Sequence, residues 1–289
     1  MEGDVSRAAG SLFVVSTPIG NMGDFSFRAV EVLRAVAVVL AEDTRHSRKL
    51  LAHYEITTPM ASYHEHNEAR SIPRIIERLS SGEDVALISD AGTPLLSDPG
   101  ERLVRAAIEA GIAVVPVPGA SALLAALVAS GLDLSQFTFF GFLPRRGRER
   151  AAALDEIASS RRTAVLYEAA NRVAESLRDL AGRAGEDRAG VVGRELTKRF
   201  EELKQGTLES LRAYYEGTAP RGEVVILVAG APPPSLDEAQ LARDARTLRE
   251  SGLTVRDVAA ELARRGVARN VAYRIAAEIG DRKSDMGDE

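Results

Sequence analysis

Short apolar runs alternate with amphipathic segments through the first half of this chain, and that alternation restricts the possible folds more than any other feature of the sequence. The apolar runs predict strands at residues 12–16, 36–41, 85–88 and 112–117. The intervening and following segments predict helices at residues 29–34, 48–53, 72–79, 101–110 and 121–129. Strands separated by helices pair in parallel and are buried on both faces, so the pattern indicates a parallel sheet covered by helices.

A second pattern begins near Phe137. It predicts strands at residues 137–142, 163–167, 189–193 and 224–229, with a helix at residues 172–181. Three prolines, Pro232 to Pro234, form a stiff spacer before predicted helices at residues 236–250, 255–265 and 270–279. Thr254 and Asp257 resemble a capping box at the start of the second of these helices.

These patterns predict an α/β fold made of two α/β domains and a small C-terminal helical segment. The expected boundaries are a disordered N-terminus at residues 1–10, domains at residues 11–130 and 131–231, and a linker with a helical tail at residues 232–289. A chain of 289 residues with 45% hydrophobic residues is large enough for two buried cores.

Composition limits the environment and the partners. The chain has no cysteine, which excludes disulfides, thiolate metal sites and a thiol nucleophile. Residues 1–10 lack the basic and apolar stretches of a signal peptide, so we expect a cytoplasmic protein. Residues 112–132 carry no charge, but Pro116, Pro118 and Gly119 divide them into strand, turn and helix, which argues against a membrane span. The net charge of −5 means that a polyanion would need a local basic patch.

Three loops rich in glycine and proline follow predicted strands of the first half. They span residues 17–21, 89–94 with its continuation 98–100, and 118–122. Ligands of open parallel sheets bind beyond the carboxyl ends of the strands, where glycine lets the backbone approach a ligand. Each loop alone is compatible with an ordinary tight turn, but three at one sheet edge favour a ligand cleft. Neither G-x-G-x-x-G after the first strand nor G-x-x-x-x-G-K-[ST] occurs, which disfavours common dinucleotide and triphosphate sites.

At these loops the chain becomes recognisable. The motifs, in order, are LFVVSTPIGN, AEDTRHSRKLL, YHEHNE, LISDAGTPLLSDPG, VVPVPGASA, GFLP, Tyr167-Glu168 and RELTK. Together they resemble the ribosomal RNA small-subunit (cytidine-2′-O)-methyltransferase family, within the tetrapyrrole methylase (class III S-adenosylmethionine-dependent methyltransferase) superfamily. The resemblance covers residues 12–230.

This resemblance implies a homodimer that binds S-adenosylmethionine in a cleft between its two α/β domains. It also implies methylation of the ribose 2′-hydroxyl of a cytidine in the decoding centre of 16S ribosomal RNA. The residues that match the cofactor-binding motifs are Pro18, Ile19, Gly20, Asp90, Ala91, Gly92, Thr93, Ser121, Ala122, Tyr167, Glu168, Leu196, Gly222, Glu223 and Val224.

A ribose hydroxyl is a poor nucleophile at neutral pH, so a general base would assist its attack on an activated methyl group. The candidate catalytic residues are His64, His66, Glu68, Glu195 and Lys198. The two histidines could instead bond loop carbonyls, and Glu195 could steady a strand end in an ion pair with Arg194. Methyl transfer requires no metal, and no third ligand stands near the His-x-His pair, so no metal site is expected.

Arginines supply the expected contacts to RNA. Arg145, Arg146, Arg148 and Arg150 lie on a predicted exposed loop, and Arg45 and Arg48 form a possible second patch. Arginine binds phosphate through two hydrogen bonds at once, although such a run could also be a solvated surface. The two last predicted helices resemble a helix-turn-helix pair that could bind RNA or pack on the body.

Two other functions remain open at this point. A tetrapyrrole methyltransferase usually carries a Gly-Pro-Gly loop after its first strand, whereas this chain has residues 17–21 as Thr-Pro-Ile-Gly-Asn. The second alternative is a non-catalytic RNA-binding assembly factor. Such a protein would not need the three intact glycine- and proline-rich loops, so their presence argues against it. No Asn/Asp-Pro-Pro-aromatic tetrapeptide of amine methyltransferases occurs, which is consistent with a hydroxyl acceptor.

Overall fold

The computed structural model describes residues 9–218, 222–232 and 238–281. Contacts divide the chain into two compact units, Met1–Ala231 and Pro232–Glu289. Residues 1–8 of the predicted disordered N-terminus and residues 233–237 of the predicted linker lie outside the described residues. Gly10, at the end of the predicted disordered segment, is bonded into the fold through its N–H, which donates to the Leu79 carbonyl at 2.8 Å. The predicted domain boundary at residue 131 stays a prediction.

The first sheet is entirely parallel, as the alternating pattern predicts. Its elements are β1 (Ser11–Val15), α1 (Phe27–Ala35), β2 (Val38–Ala41), α2 (Thr44–His53), β3 (Met60–Ser62), α3 (Glu68–Ser80), β4 (Val85–Ile88), α4 (Glu101–Glu109) and β5 (Ala113–Val117). The strand order is β3-β2-β4-β1-β5. Strand β3 was not predicted because it has three residues, none of them buried, and so lacks an apolar run.

Helices cover both faces of this sheet because the alternate side chains of its strands are apolar on both sides. On β2, Val38 and Leu40 pack with Leu79 of α3. Val39 and Ala41 face the other way, into a cluster with the following residues of α1 and α2: Ala29, Val30, Leu33, Leu50 and Leu51. Each fully buried aliphatic side chain contributes roughly 1.5–3 kcal/mol, so the two clusters fix the sheet as a rigid frame.

The second sheet is mixed. Its elements are α5 (Ala122–Val128), β6 (Phe137–Phe142), α6 (Gly147–Ser159), β7 (Thr163–Ala169), α7 (Val173–Ala184), β8 (Ala189–Arg194), β9 (Glu202–Thr207), α8 (Leu208–Gly217) and β10 (Glu223–Val228). The order is β6-β7-β10-β8-β9, and only the pair β6 and β7 is parallel. The edge strand β9 was not predicted because it lacks an apolar run. Helices α6 and α8 were not predicted either, although α8 places Leu208, Leu211 and Tyr215 on one buried face.

Helix α5 connects the two sheets. It follows β5 of the first sheet, yet Leu123 and Leu127 pack against Val165 and Val225 of the second. The uncharged stretch of residues 112–132 therefore forms a strand and a helix, as its prolines and glycine predict. No helix within the described ranges is long and apolar enough to cross a bilayer.

Within residues 238–281 the C-terminal unit has three helices that share a core. It comprises α9 (Glu238–Glu250), α10 (Val255–Arg264) and α11 (Arg269–Asp281). Leu241, Val258, Leu262 and Ile275 are buried among one another. The predicted capping box is confirmed, since Thr254 accepts from the Asp257 N–H and Asp257 accepts from the Thr254 N–H.

Arg150 differs from the expected exposed loop. It lies in α6 with 6% of its surface exposed, because Gly147 starts a helix where the arginine run predicted a loop. Its guanidinium donates to Asp179 at 2.8 Å, to Ser176 at 3.1 Å and to the Pro144 carbonyl at 3.0 Å. Arg150 therefore holds α6 against α7 and is not available to RNA phosphates.

We expect Arg150→Ala to lower the free energy of unfolding by about 2–4 kcal/mol, because it leaves Ser176 and the partly exposed Asp179 without their shared donor. Arg148→Ala, two residues earlier on the exposed side of α6, should change it by less than about 0.5 kcal/mol. Urea denaturation followed by circular dichroism measures both values. Equal effects of the two substitutions would contradict the buried assignment.

Candidate functional site

The loops after β1 and β4 are joined by a two-hydrogen-bond bridge. The Thr17 N–H donates to the Gly92 carbonyl at 2.8 Å, and the Gly92 N–H donates to the Thr17 carbonyl at 3.1 Å. The Thr17 hydroxyl donates to the Ser89 carbonyl at 3.1 Å, and the Ser89 hydroxyl donates to the Gly92 carbonyl at 3.0 Å. Gly92 has φ +84°, a conformation that favours glycine.

The loop after β5 joins the same edge. The Thr93 hydroxyl donates to the Ala120 carbonyl at 3.4 Å. Gly119 lies so close to Ser16 that a Cβ there would be 2.9 Å from the Ser16 Cβ. All three glycine- and proline-rich loops therefore meet at one edge of the first sheet.

The second sheet meets this edge through the turn after β8. The Asn21 N–H donates to the Thr197 hydroxyl at 3.1 Å. The Lys198 side chain crosses Gly20, where a Cβ would be 2.4 Å from the Lys198 Cγ. A larger residue at position 20 would therefore displace the Lys198 side chain.

Between the loops of the two sheets lies a cavity of about 170 Å³, which we call the central cleft. The residues from the predicted cofactor set that line it are Ile19, Ala91, Gly92, Thr93, Ala122, Tyr167, Leu196, Glu223 and Val224.

The other predicted cofactor-binding residues do not line the central cleft. Pro18, Gly20 and Asp90 line a second cavity of about 310 Å³, the side cavity, between α2 and the loops after β1 and β4. Ser121 caps α5 by accepting from the Leu124 N–H at 3.5 Å. Gly222, just before β10, does not line the cleft, and a Cβ there would be 2.9 Å from a Glu195 carboxylate oxygen.

Glu168 is turned away from the cleft. Successive residues of a strand face opposite sides, so Tyr167 lines the cleft while Glu168 is buried on the far face of β7. There its carboxylate accepts from the Ser176 hydroxyl at 2.5 Å and pairs with Arg172 at 3.5 Å. The motif Tyr167-Glu168 therefore combines one residue of the cleft with one of the buried network that also holds Arg150.

Backbone strain is concentrated around the cleft. The non-glycine residues with positive φ that belong to its two flanking loops are Leu95, Ser97, Glu195 and Thr197, at 73°, 70°, 50° and 67°. Such conformations cost about 1–3 kcal/mol each and collect at functional sites.

Asp98 is a cleft residue that the predicted site omits, although its loop was singled out. Its carboxylate lines the cleft and has no hydrogen bond or ion pair within the described part of the chain. Burial raises the pKa of Asp98 to about 7, and the nearby carboxylates of Glu42, Glu223 and Asp90 add to the rise. A partly buried carboxylate without a partner is suited to a cationic ligand.

The structure separates the five candidate catalytic residues. Glu195 and Lys198 line the central cleft and form an ion pair of 3.0 Å. His64, His66 and Glu68 line neither cavity.

The His64 and His66 rings are 5.9 Å apart, and the buried His64 Nδ1 has no hydrogen-bond partner among the described residues. Glu68 is buried and accepts from the Tyr63 hydroxyl at 2.8 Å, which indicates a structural contact. No group of three metal-ligating side chains occurs among residues 9–218, 222–232 and 238–281.

The five other arginines that were predicted to contact RNA lie at the surface. Arg145 and Arg146 precede α6 and Arg148 lies in its first turn, all three exposed. Arg45 is 88% exposed in its side chain and pairs with Asp43 at 3.3 Å, while Arg48 is exposed on α2. These five side chains stay candidates for RNA contacts.

Comparison with known proteins agrees with this architecture. The family model described as Tetrapyrrole (Corrin/Porphyrin) Methylases matches residues 11–212. A Synechocystis protein named Ribosomal RNA small subunit methyltransferase I is 44% identical over 274 residues, which cover 93% of this chain and 98% of that protein. A Xylella fastidiosa protein of the same name is 54% identical over 224 residues, covering 77% of this chain and 82% of that protein.

Solved structures share the fold at lower identity. A cobalt precorrin-4 methyltransferase has a TM-score of 0.58 at 18% identity and covers 76% of this chain and 94% of its own. Uroporphyrin-III-C-methyltransferase from Thermus thermophilus has a TM-score of 0.55 at 22% identity, covering 76% of this chain and 94% of its own. The chain belongs to the tetrapyrrole (corrin/porphyrin) methylase family and, within it, to the ribosomal RNA small subunit methyltransferase I group.

Proposed function

We propose that this chain transfers the methyl group of S-adenosylmethionine to the ribose 2′-hydroxyl of a cytidine in the decoding centre of 16S ribosomal RNA. The observation that carries the proposal is the 44% identity to a protein named Ribosomal RNA small subunit methyltransferase I over 98% of that protein's length. We further propose that the protein acts in the cytoplasm as a homodimer.

The central cleft has the chemistry that this donor needs. S-adenosylmethionine carries a positively charged sulfonium and ammonium group, and Asp98 and Glu223 line the cleft without ion-pair partners within the described ranges. Gly92 lines the cleft with its backbone alone. A Cβ at this position would lie 3.2 Å from the Ile19 side chain. When bound, the donor supplies an already activated methyl group.

The protein's own task is to align the acceptor and exclude water. The attacking oxygen loses a proton as it bonds to the methyl carbon, and the C–S bond breaks with its electron pair left on sulfur. Of the five candidate bases, Glu195 and Lys198 are the two that line the cleft. Their mutual ion pair leaves the other Glu195 oxygen as the candidate proton acceptor.

The direct test is a methyl-transfer assay with 30S subunits, naked 16S RNA and a tetrapyrrole as alternative acceptors. We expect a 2′-O-methylcytidine in RNA, identified by mass spectrometry of the nucleosides with the added mass on the ribose fragment. A target with deoxycytidine at the modified position should not react, because the accepting oxygen is absent. Methylation of the tetrapyrrole alone, or of the cytosine ring, would contradict the proposal.

Donor binding should depend on Gly92 and Asp98. Gly92→Val adds bulk beside Ile19 and strains the backbone at φ +84°, so donor affinity should fall below detection by calorimetry.

Asp98 binds a cation only when ionised. With a pKa near 7, its ionised fraction falls about tenfold between pH 8 and pH 6, so wild-type affinity should fall by about the same factor.

Asp98→Asn should bind the donor weakly and without this pH dependence. Asp187→Asn, at an exposed position away from both cavities, is the matched control and should keep the wild-type profile. Wild-type donor affinity in Asp98→Asn would refute the assignment of the cleft to the donor.

The arginines around the start of α6 should supply nonspecific affinity for RNA. Replacing Arg145, Arg146 and Arg148 with Gln, while retaining Arg150, should weaken RNA binding. The fall of the logarithm of the association constant with the logarithm of the salt concentration should become less steep, by roughly two units of slope. Donor affinity should not change. A control with Arg70, Arg74 and Arg105 replaced, three exposed arginines of α3 and α4, should retain the wild-type slope. Equal slopes for both triple variants and the wild type would show a solvated surface only.

A further inference from the structure

We infer that the side cavity binds a nucleotide of the RNA substrate next to the methyl donor, an inference that rests on the proposed function. The side cavity and the central cleft share a wall formed by Ile19, Ala91 and Lys198. A transfer reaction requires its two reactants to meet at about 3–3.5 Å, and two cavities with one common wall allow such an approach.

The unpaired hydroxyl of Ser47 indicates that the side cavity binds a ligand. It lies on α2, lines the side cavity and is 2% exposed, yet its hydroxyl has no hydrogen-bond partner within the described residues. An unpaired buried hydroxyl destabilises the fold, and native proteins seldom retain one without a reason. A hydroxyl both donates and accepts, so a ribose hydroxyl or a phosphate oxygen would satisfy it.

The charges of the two cavities are complementary to the two reactants. Lys49 and His46 of α2 line the side cavity together with Lys198 on the shared wall. Lys49 is exposed and has no ion-pair partner among residues 9–218, 222–232 and 238–281, so its ammonium is available to a phosphate.

Asp90 is the one acidic side chain among the described residues that line the side cavity, and one of its carboxylate oxygens is used in a backbone hydrogen bond. Its carboxylate accepts from the Asp43 N–H at 3.2 Å and so supports the start of α2. The central cleft is lined instead by Asp98, Glu195 and Glu223, which attract a cationic donor and repel phosphate. The central cleft, with three carboxylates, therefore suits the positively charged donor, and the side cavity, with Lys49, suits the negatively charged nucleotide.

Kinetics with 30S subunits tests this assignment. Lys49→Gln should raise KM for the subunits roughly tenfold and Ser47→Ala by about three- to tenfold, because each removes a hydrogen bond to the nucleotide. The donor Kd of both variants, measured by calorimetry, should equal that of the wild type. Arg74→Gln, at an exposed cation of α3, should change neither value.

A second measurement does not depend on turnover. The natural chain has no cysteine, so Met22→Cys places a single thiol on the wall of the side cavity, and Ile108→Cys places one at the exposed end of α4. Cytidine 3′,5′-bisphosphate should slow alkylation of the first thiol in proportion to its occupancy and leave the second unchanged.

The outcomes separate the two proposals. Wild-type methylation of 30S subunits combined with unchanged KM in both variants and no protection at residue 22 would overturn the nucleotide site and leave the proposed function intact. A raised donor Kd in Lys49→Gln or Ser47→Ala would assign the side cavity to the donor and also overturn the inference. Absence of RNA methylation by the wild type would refute the proposed function, while protection of the residue 22 thiol would still identify a nucleotide site.

Discussion

The bridge between Thr17 and Gly92 is the contact on which the rest of the site depends. It joins the carboxyl ends of β1 and β4, neighbours in the centre of the first sheet, and Thr17 is 1% exposed. The bridged loops line both the central cleft and the side cavity. Residues adjacent to the bridge, Ile19 and Ala91, form the wall between the two. A buried pair of backbone hydrogen bonds cannot move without exposing unpaired groups, so it holds this wall at a fixed position.

Rigid sheets carry the strained loops that give the site its shape. Leu95, Ser97, Glu195 and Thr197 adopt positive φ at a total cost of several kcal/mol. The buried strands on either side, such as β4 and β10, supply the apolar burial that outweighs this cost. Such loops are held in place before a ligand arrives, which reduces the reorganisation required when charge moves in the reaction.

Much of the fold follows from local patterns, whereas the side-chain geometry of the site depends on contacts distant in sequence. The parallel first sheet follows from apolar runs and glycine punctuation, but the polar strand β9 gains its place by pairing with β8. Three residues that the motifs name, Ile19, Gly92 and Tyr167, line the cleft. A motif cannot say, however, that Glu168 faces the other side of β7 or that Arg150 pairs with Asp179. Asp98 was missed because its raised pKa comes from burial and from Glu42 and Glu223, residues far away in the sequence.

Donor and RNA are expected to occupy adjoining cavities that share one wall. Hydrogen exchange followed by mass spectrometry tests this arrangement, with the demethylated product of the donor and with 30S subunits added separately. The product should slow exchange at residues 91–98 and 193–198, and the subunits should slow exchange at residues 17–22 and 44–50. Slowed exchange of residues 44–50 by the product alone, or slowed exchange by the subunits confined to residues 238–281, would contradict it.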